Sequence, residues 1–214
     1  MTKDTSSADS QNPIKEPEKT EIEKKEKELW FAMRATYRRE AAACRWLDGE
    51  QIKYFIPMRY EERIVKGKKT RSKVPVVRNL MFVYATPSKI KEVKARIEYL
   101  QYITDLRSGQ KIIVPEEQMR QFIAVAGTYN DQLLWFKPEE LNLCKGTRVR
   151  ITGGEFESLE GVFVKVKGAR DRRVVIAIQG VIAIAMATIH PTLIEVLPEE
   201  KKKKDKPSIS SRIP

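Results

Sequence analysis

Histidine and cysteine are almost missing from this chain. One histidine, His190, and two cysteines, Cys44 and Cys144, occur in 214 residues. Neither a disulfide framework nor a thiolate metal site is suggested, and a reducing compartment fits. His190 precedes Pro191 at the end of an apolar run and reads as a structural residue. Carboxylate pairs such as Glu61-Glu62 and Glu116-Glu117 are adjacent in sequence, face different directions and have no partner base at a recognisable spacing. Gly67-Lys68-Lys69 has too few glycines for a phosphate loop. No catalytic group, metal or other cofactor is therefore expected, and an enzyme is not the reading. Long apolar runs are missing too, and the opening MTKDTSSADSQNP has no apolar segment of the signal-peptide kind. A cytoplasmic protein with no membrane contact, acting as a monomer, is the expectation.

What the chain has is positive charge. Lys and Arg number 41 against 29 Asp and Glu, a formal +12, which favours a polyanionic partner such as nucleic acid. Residues 1–28 and 199–214 are charged and poor in large apolar residues, so both read as tails that cannot bury enough surface to offset ordering. Lys201–Lys204 could touch nucleic acid nonspecifically.

Between the tails the pattern divides into a first block at 29–128, a connector at 129–143 and a second block at 144–198. In the first, Leu29–Ala35 is apolar, Thr36 can cap a helix over Tyr37–Leu47, and Asp48-Gly49 stops it. Tyr54–Arg63 reads as a strand leading into a hairpin arm that turns at Gly67, and Leu80–Ala85 as a strong strand. Pro87-Ser88 opens a helix with Ile90, Val93, Ile97 and Leu100 on one face. Tyr102–Leu106 can return as a strand, and a last helix runs from Pro115 to Gly127 with Met119, Phe122, Ile123 and Ala126 inward. This order predicts an α+β domain in which two helices cover one face of an antiparallel sheet and the other face stays open. The connector is polar and Pro-punctuated, yet Leu134, Trp135 and Phe136 are costly to expose together, which favours docking over free motion.

The second block has short runs, RVRIT, EGVFVKVK, RRVVIAIQG, VIAIAMA and TLIEVL, separated by Gly-rich or charged turns. Five short strands with no helix pattern predict a small closed barrel. Its opening, KGTRVRITGGEFESLEGVFVKV, resembles a KOW motif, the SH3-like barrel element of ribosomal proteins and of NusG-type elongation factors. Gly146, Val149 with Ile151, Gly154 followed by Phe156, and Gly161 carry the likeness, whereas Glu155 stands where the family usually has proline.

The first block narrows the resemblance. LWFAMRATYRREAAACRWL is similar to the opening strand and helix of a NusG N-terminal domain, and YFIPMRYEERIVKGKKTRSKVPVVRNLMFVYAT to its central strand, basic hairpin and following strand. Arg78-Asn79-Leu80 replaces the usual Pro-Gly-Tyr, a departure that resembles specialised paralogs such as the UpxY-type antiterminators of Bacteroidetes capsular polysaccharide operons.

That resemblance implies a transcription elongation and antitermination factor that binds RNA polymerase, suppresses pausing or termination and acts on particular operons such as surface polysaccharide loci. A KOW-containing ribosome-associated or RNA-binding protein is the alternative. Arg59–Lys73 holds seven basic residues against Glu61 and Glu62, a charge suited to backbone phosphates. The candidate nucleic-acid contacts, to non-template DNA or nascent RNA, are Arg63, Lys66, Lys68, Lys69, Arg71 and Lys73, extended by Arg38 and Arg39. The resemblance further implies an apolar depression for a coiled coil of the largest polymerase subunit, with Tyr54, Phe55, Ile56, Pro57, Phe82 and Tyr84 as candidates. Strand alternation prevents all six from facing one way. For the barrel, the family permits a ribosomal protein or a termination factor, while Lys165, Lys167, Arg170, Arg172 and Arg173 permit nucleic acid.

Overall fold

The computed structural model describes residues 26–129, 131–137, 140, 146–166, 170–178, 180–186 and 189–198. The expected tails thus lie outside the described residues except for 26–28, as do Cys144, Lys145, Lys167 and Gln179.

Strand β1 (Leu29–Ala35) is apolar at almost every position and buried on both faces, so it takes the centre of the first sheet. Strand β5 (Leu80–Ala85) pairs with it antiparallel, Trp30 opposite Tyr84, and β2 (Lys53–Phe55) pairs with the far side of β5. Strands β6 (Leu100–Tyr102) and β7 (Ile113–Val114) share the other edge of β1.

Helices α1 (Glu40–Gly49) and α2 (Pro87–Arg96) cover one face, setting Ala43, Leu47, Ile90 and Val93 against Phe31, Met33, Met81 and Val83. Thr86 caps α2 by accepting the Lys89 amide at 3.1 Å, with Pro87 pre-set for the first turn. The expected cap on α1 does not form. Tyr37 and Arg38 adopt left-handed backbone, φ 59° and 57°, the helix starts at Glu40, and the Thr36 hydroxyl donates to the Tyr99 carbonyl at 3.1 Å.

The opposite face is not open. Helix α3 (Glu116–Ala126) lays Met119, Phe122, Val125 and Ala126 over Trp30, Ala32, Leu80 and Phe82. Bare, that face would present a large contiguous apolar patch to water, and the amphipathic helix removes it.

The remaining strands are β8 (Leu134–Phe136), β9 (Thr147–Ile151), β10 (Glu160–Lys165), β11 (Arg172–Ile178), β12 (Ile182–Ala185) and β13 (Ile194–Val196). They form one antiparallel sheet in the order β13-β9-β10-β11-β12-β8. The five expected strands are present, but the expected barrel is not closed: β13 and β8 end the sheet and do not pair with each other. Closure is unnecessary for burial here, because α3 covers the bulky face. Val149, Ile151, Val174, Ile176, Ile178, Ile182 and Ile184 share a core with Phe122 and Met119. The connector strand β8 also covers the outer edge of β12, Trp135 opposite Ile184. The sheet's other face holds smaller residues, among them Val164, Val175, Ala183 and Ala185.

Gly161, opposite Val149 in the β9–β10 register, shows why that strand entry needs glycine. A Cβ there would stand 2.7 Å from Val174 Cγ1 and 2.7 Å from the Val175 carbonyl oxygen. Backbone cannot retreat as a flexible side chain can. Gly161→Ala is therefore expected to destabilise the protein by about 1–3 kcal/mol, the usual cost of overpacking, read as a lower denaturant midpoint with an unchanged slope.

Candidate nucleic-acid interface

Strands β3 (Met58–Val65) and β4 (Lys68–Pro75) make a separate two-stranded ribbon. Lys66 and Gly67 join them with φ 50° and 76°, a two-residue turn whose twist matches that of the flanking strands. The register sets Tyr60 opposite Lys73, Glu62 opposite Arg71 and Ile64 opposite Lys69 on one face, and Arg63 opposite Thr70 with Val65 opposite Lys68 on the other. The cations that are consecutive in sequence therefore divide between two faces and a tip.

Partners divide them further. Arg63 bonds Glu61 at 2.7 Å, and its guanidinium holds the Glu61 carboxyl below the usual carboxylate range. Arg71 donates from Nη2 to both oxygens of Asp131, at 2.7 and 3.0 Å, and its guanidinium lies 4.1 Å from the centre of the Tyr60 ring. The Lys73 ammonium is 3.7 Å from the Tyr129 ring, which meets Tyr60 edge-on at 5.9 Å. Between the hairpin base and the connector lies a shallow depression of about 300 Å³, bordered by Arg59, Tyr60, Arg71, Asp131 and Trp135. Lys66, Lys68 and Lys69 have no carboxylate partner among the described residues. The base of the arm is thus anchored through Arg71 and Lys73, while the tip presents cations to solvent.

Arg38 and Arg39 sit elsewhere. The Arg38 amide donates to Asn79 Oδ1 at 3.1 Å, and the Arg39 guanidinium lies 5.0 Å from the Tyr99 ring centre.

The six aromatic and apolar candidates do not form one surface. Phe55, Phe82 and Tyr84 lie on the α3 side of the sheet, with Phe82 fully buried against Phe122 at 5.9 Å. Tyr54 and Ile56 lie on the opposite side with α1 and α2, and Pro57 is buried. Burial, together with hydrogen bonds to Cys44 and Asp48, pushes the Tyr54 phenol pKa up. Among the glycine-turn residues of the second block, Gly154 has φ 84° and Phe156 packs part-buried on the main core. Lys165 bonds the Arg170 carbonyl, and Arg173 donates to the Met186 carbonyl at 3.0 Å.

Sequence reasoning missed Tyr60, Tyr129 and Asp131. Tyr60 was within reach, since a two-residue turn at Lys66-Gly67 fixes its pairing with Lys73. Asp131 lies 60 residues from Arg71 and gives no local signal. Among the described residues no helix is long and apolar enough to cross a membrane.

Comparison with known proteins places these elements in context. The family model described as NusG, transcription termination factor nusG, matches residues 28–123, from β1 into α3. A search of curated proteins gives no match. Among solved structures that match is one titled for domain interaction in Thermotoga maritima NusG, 21% identical, covering 80% of this chain and 98% of that one, with a TM-score of 0.40.

Both side chains of the Arg71–Asp131 pair are half exposed or more. A double-mutant cycle with Arg71→Ala and Asp131→Ala is expected to give a coupling of about 0.2–1 kcal/mol in unfolding free energy. It should shrink in about 1 M salt, where the screening length falls to about 3 Å.

Proposed function

With residues 28–123 matching the NusG family model, we propose that the protein is a transcription elongation and antitermination factor that binds RNA polymerase and suppresses pausing or termination. NusG-family proteins are non-catalytic regulators that interact with RNA polymerase and nucleic acids, and this protein is not an enzyme. The observation that carries the reading is the exposed hairpin tip, where Lys66, Lys68 and Lys69 stand without carboxylate partners among the described residues. Such a tip neutralises the phosphates of a DNA strand exposed by the transcribing polymerase, through contacts that set affinity and position more than sequence.

The polymerase-binding surface belongs to the N-terminal sheet in this reading. Phe55, Phe82 and Tyr84 would supply its apolar centre, as buried aromatic anchors do in protein interfaces. Phe82 is inaccessible beneath α3. Engagement of this face therefore requires α3 and the sheet packed on it to shift, whereas the hairpin tip is available without rearrangement. Action on a limited set of operons, such as surface polysaccharide loci, is the further part of the proposal, motivated by Arg78-Asn79-Leu80 before β5. The division into domains at 29–128 and 144–198 is retained as part of the same proposal.

A reconstituted elongation assay tests it, on templates with and without the leader DNA of the adjoining operon. The intact protein is expected to join the elongation complex and shorten pauses. Saturating protein that leaves pausing and readthrough unchanged contradicts the reading, and cosedimentation with ribosomes in the absence of polymerase favours the alternative. Reversing Lys68 and Lys69 to glutamate is expected to weaken recruitment and lower the slope of log affinity against log salt by at least about 1.4 to 1.8, the share of two phosphate contacts.

A further inference from the structure

The first turn of α2 holds a carboxylate from 62 residues earlier in the chain. The Ser88 amide donates to Glu26 Oε2 at 2.9 Å, and the Ser88 hydroxyl donates to Glu26 Oε1 at 2.8 Å. Thr86 already accepts the Lys89 amide, so Glu26 satisfies a second of the amides left unpaired at this helix start. Those bonds, with the charge of Lys91 nearby, hold the Glu26 carboxyl below the usual carboxylate range. The chain that leads into β1 is thereby fixed on the α2 side of the first sheet.

Beyond that anchor the cations on this side are not balanced. Glu92 is shared by Lys89 and Arg96, at 3.2 Å each, and Lys89 also reaches Glu50 at 3.0 Å. Lys94 and Lys111 have no carboxylate partner among the described residues. The Lys94 ammonium lies 4.2 Å from the centre of the Tyr102 ring; the Lys111 ammonium lies 5.5 Å from the same ring and 5.3 Å from that of Phe31. Two ammonium groups from separate elements thus lean over one aromatic shelf. Ile113, the β7 residue paired with Phe31, is 40% exposed. An apolar shelf with cations above it fits an acidic segment that carries an apolar side chain between its carboxylates.

The chain itself has such a segment next to the anchor. Residues 16–23, EPEKTEIE, lie outside the described residues and hold four glutamates against Lys19, with Ile22 between Glu21 and Glu23. Glu23 is three positions from Glu26, a reach of at most about 11 Å. Helix α2, of ten residues, is about 15 Å long, and eight extended residues cover about 26 Å. We propose that residues 16–23 dock as an acidic strap along α2, with Glu21 and Glu23 at Lys94 and Lys111 and Ile22 on the shelf of Tyr102 and Ile113. The strap keeps those lysines from phosphates and leaves the hairpin tip as the cationic surface offered to nucleic acid. This goes beyond the function proposed above, and its test needs no polymerase.

The test measures, on the intact chain, how fast trypsin cuts after Lys24 and Lys25, followed by mass spectrometry at early times. A docked strap protects these bonds. Glu21→Gln with Glu23→Gln is expected to speed the cut by about 2- to 30-fold, the equivalent of two exposed ion pairs. Lys94→Gln with Lys111→Gln should do the same, and the four changes together should add nothing to either pair alone. The glutamate pair leaves every described residue unchanged, which guards against a misfolded variant. It should also tighten binding of a labelled DNA duplex at low salt, and lose that gain once Lys94 and Lys111 are neutralised. Unchanged cleavage or unchanged duplex affinity in the glutamate variant, or effects of the two pairs that multiply, would overturn the strap. So would protection that rises with protein concentration, the mark of a second copy on this face.

Discussion

Helix α3 turns Phe122 toward three aromatic rings at once: Phe55 and Phe82 of the first sheet, at 6.3 and 5.9 Å, and Trp135 of strand β8, at 6.2 Å. All three contacts are close to edge-on, the arrangement ring quadrupoles favour. Burying one such side chain stabilises by roughly 1.5–3 kcal/mol, and here the burial is shared between two sheets. The Gln118 amide adds a hydrogen bond to the Ala177 carbonyl of β11 at 2.5 Å. Helix α3 is thus the inner wall of both halves. Its presence explains why the first sheet has no open face and why the second has no need to close on itself.

The connector carries that constraint outward. Leu134–Phe136 pairs with β12, Leu133 is buried, and the residues just before them hold the hairpin base through Asp131 and Tyr129. The arm's orientation is therefore tied by a short path to the packing of the second sheet. Each tie on the solvent side is individually weak, since exposed ion pairs and cation–ring contacts contribute about 1 kcal/mol or less. A polyanion with several phosphates can outcompete them, whereas the shared aromatic core cannot be displaced so cheaply. The solvent-side ties are thus the exchangeable ones, and the core contacts the persistent ones.

How much of this the sequence disclosed depends on the range of each interaction. Leu80–Ala85, α2 and α3 were legible because their signals are local: a β-branched and aromatic run, a Pro-Ser start, an apolar face ended by Gly127. The hairpin and its turn were legible for the same reason. The left-handed bend at Tyr37-Arg38 was not, because it is held by Asn79 and Tyr99, both more than 40 residues away. The barrel expectation failed for a related reason. Strand lengths and turn glycines describe a small sheet correctly, yet whether it closes depends on what covers its face, and here the cover comes from α3. In the candidate interface, composition located the charge, while only the register and Asp131 separated anchored cations from presented ones.

The central claim is that α3 is one core element shared by both sheets, with Phe122 at its middle. Hydrogen exchange on the intact chain carrying Phe122→Ala tests it most directly. The account predicts that amides of β11 and β12 lose protection together with α3, while the β1–β5 pairing, backed by α1 and α2, keeps most of its own. Loss confined to α3, with β11 and β12 as protected as in the parent, would contradict it.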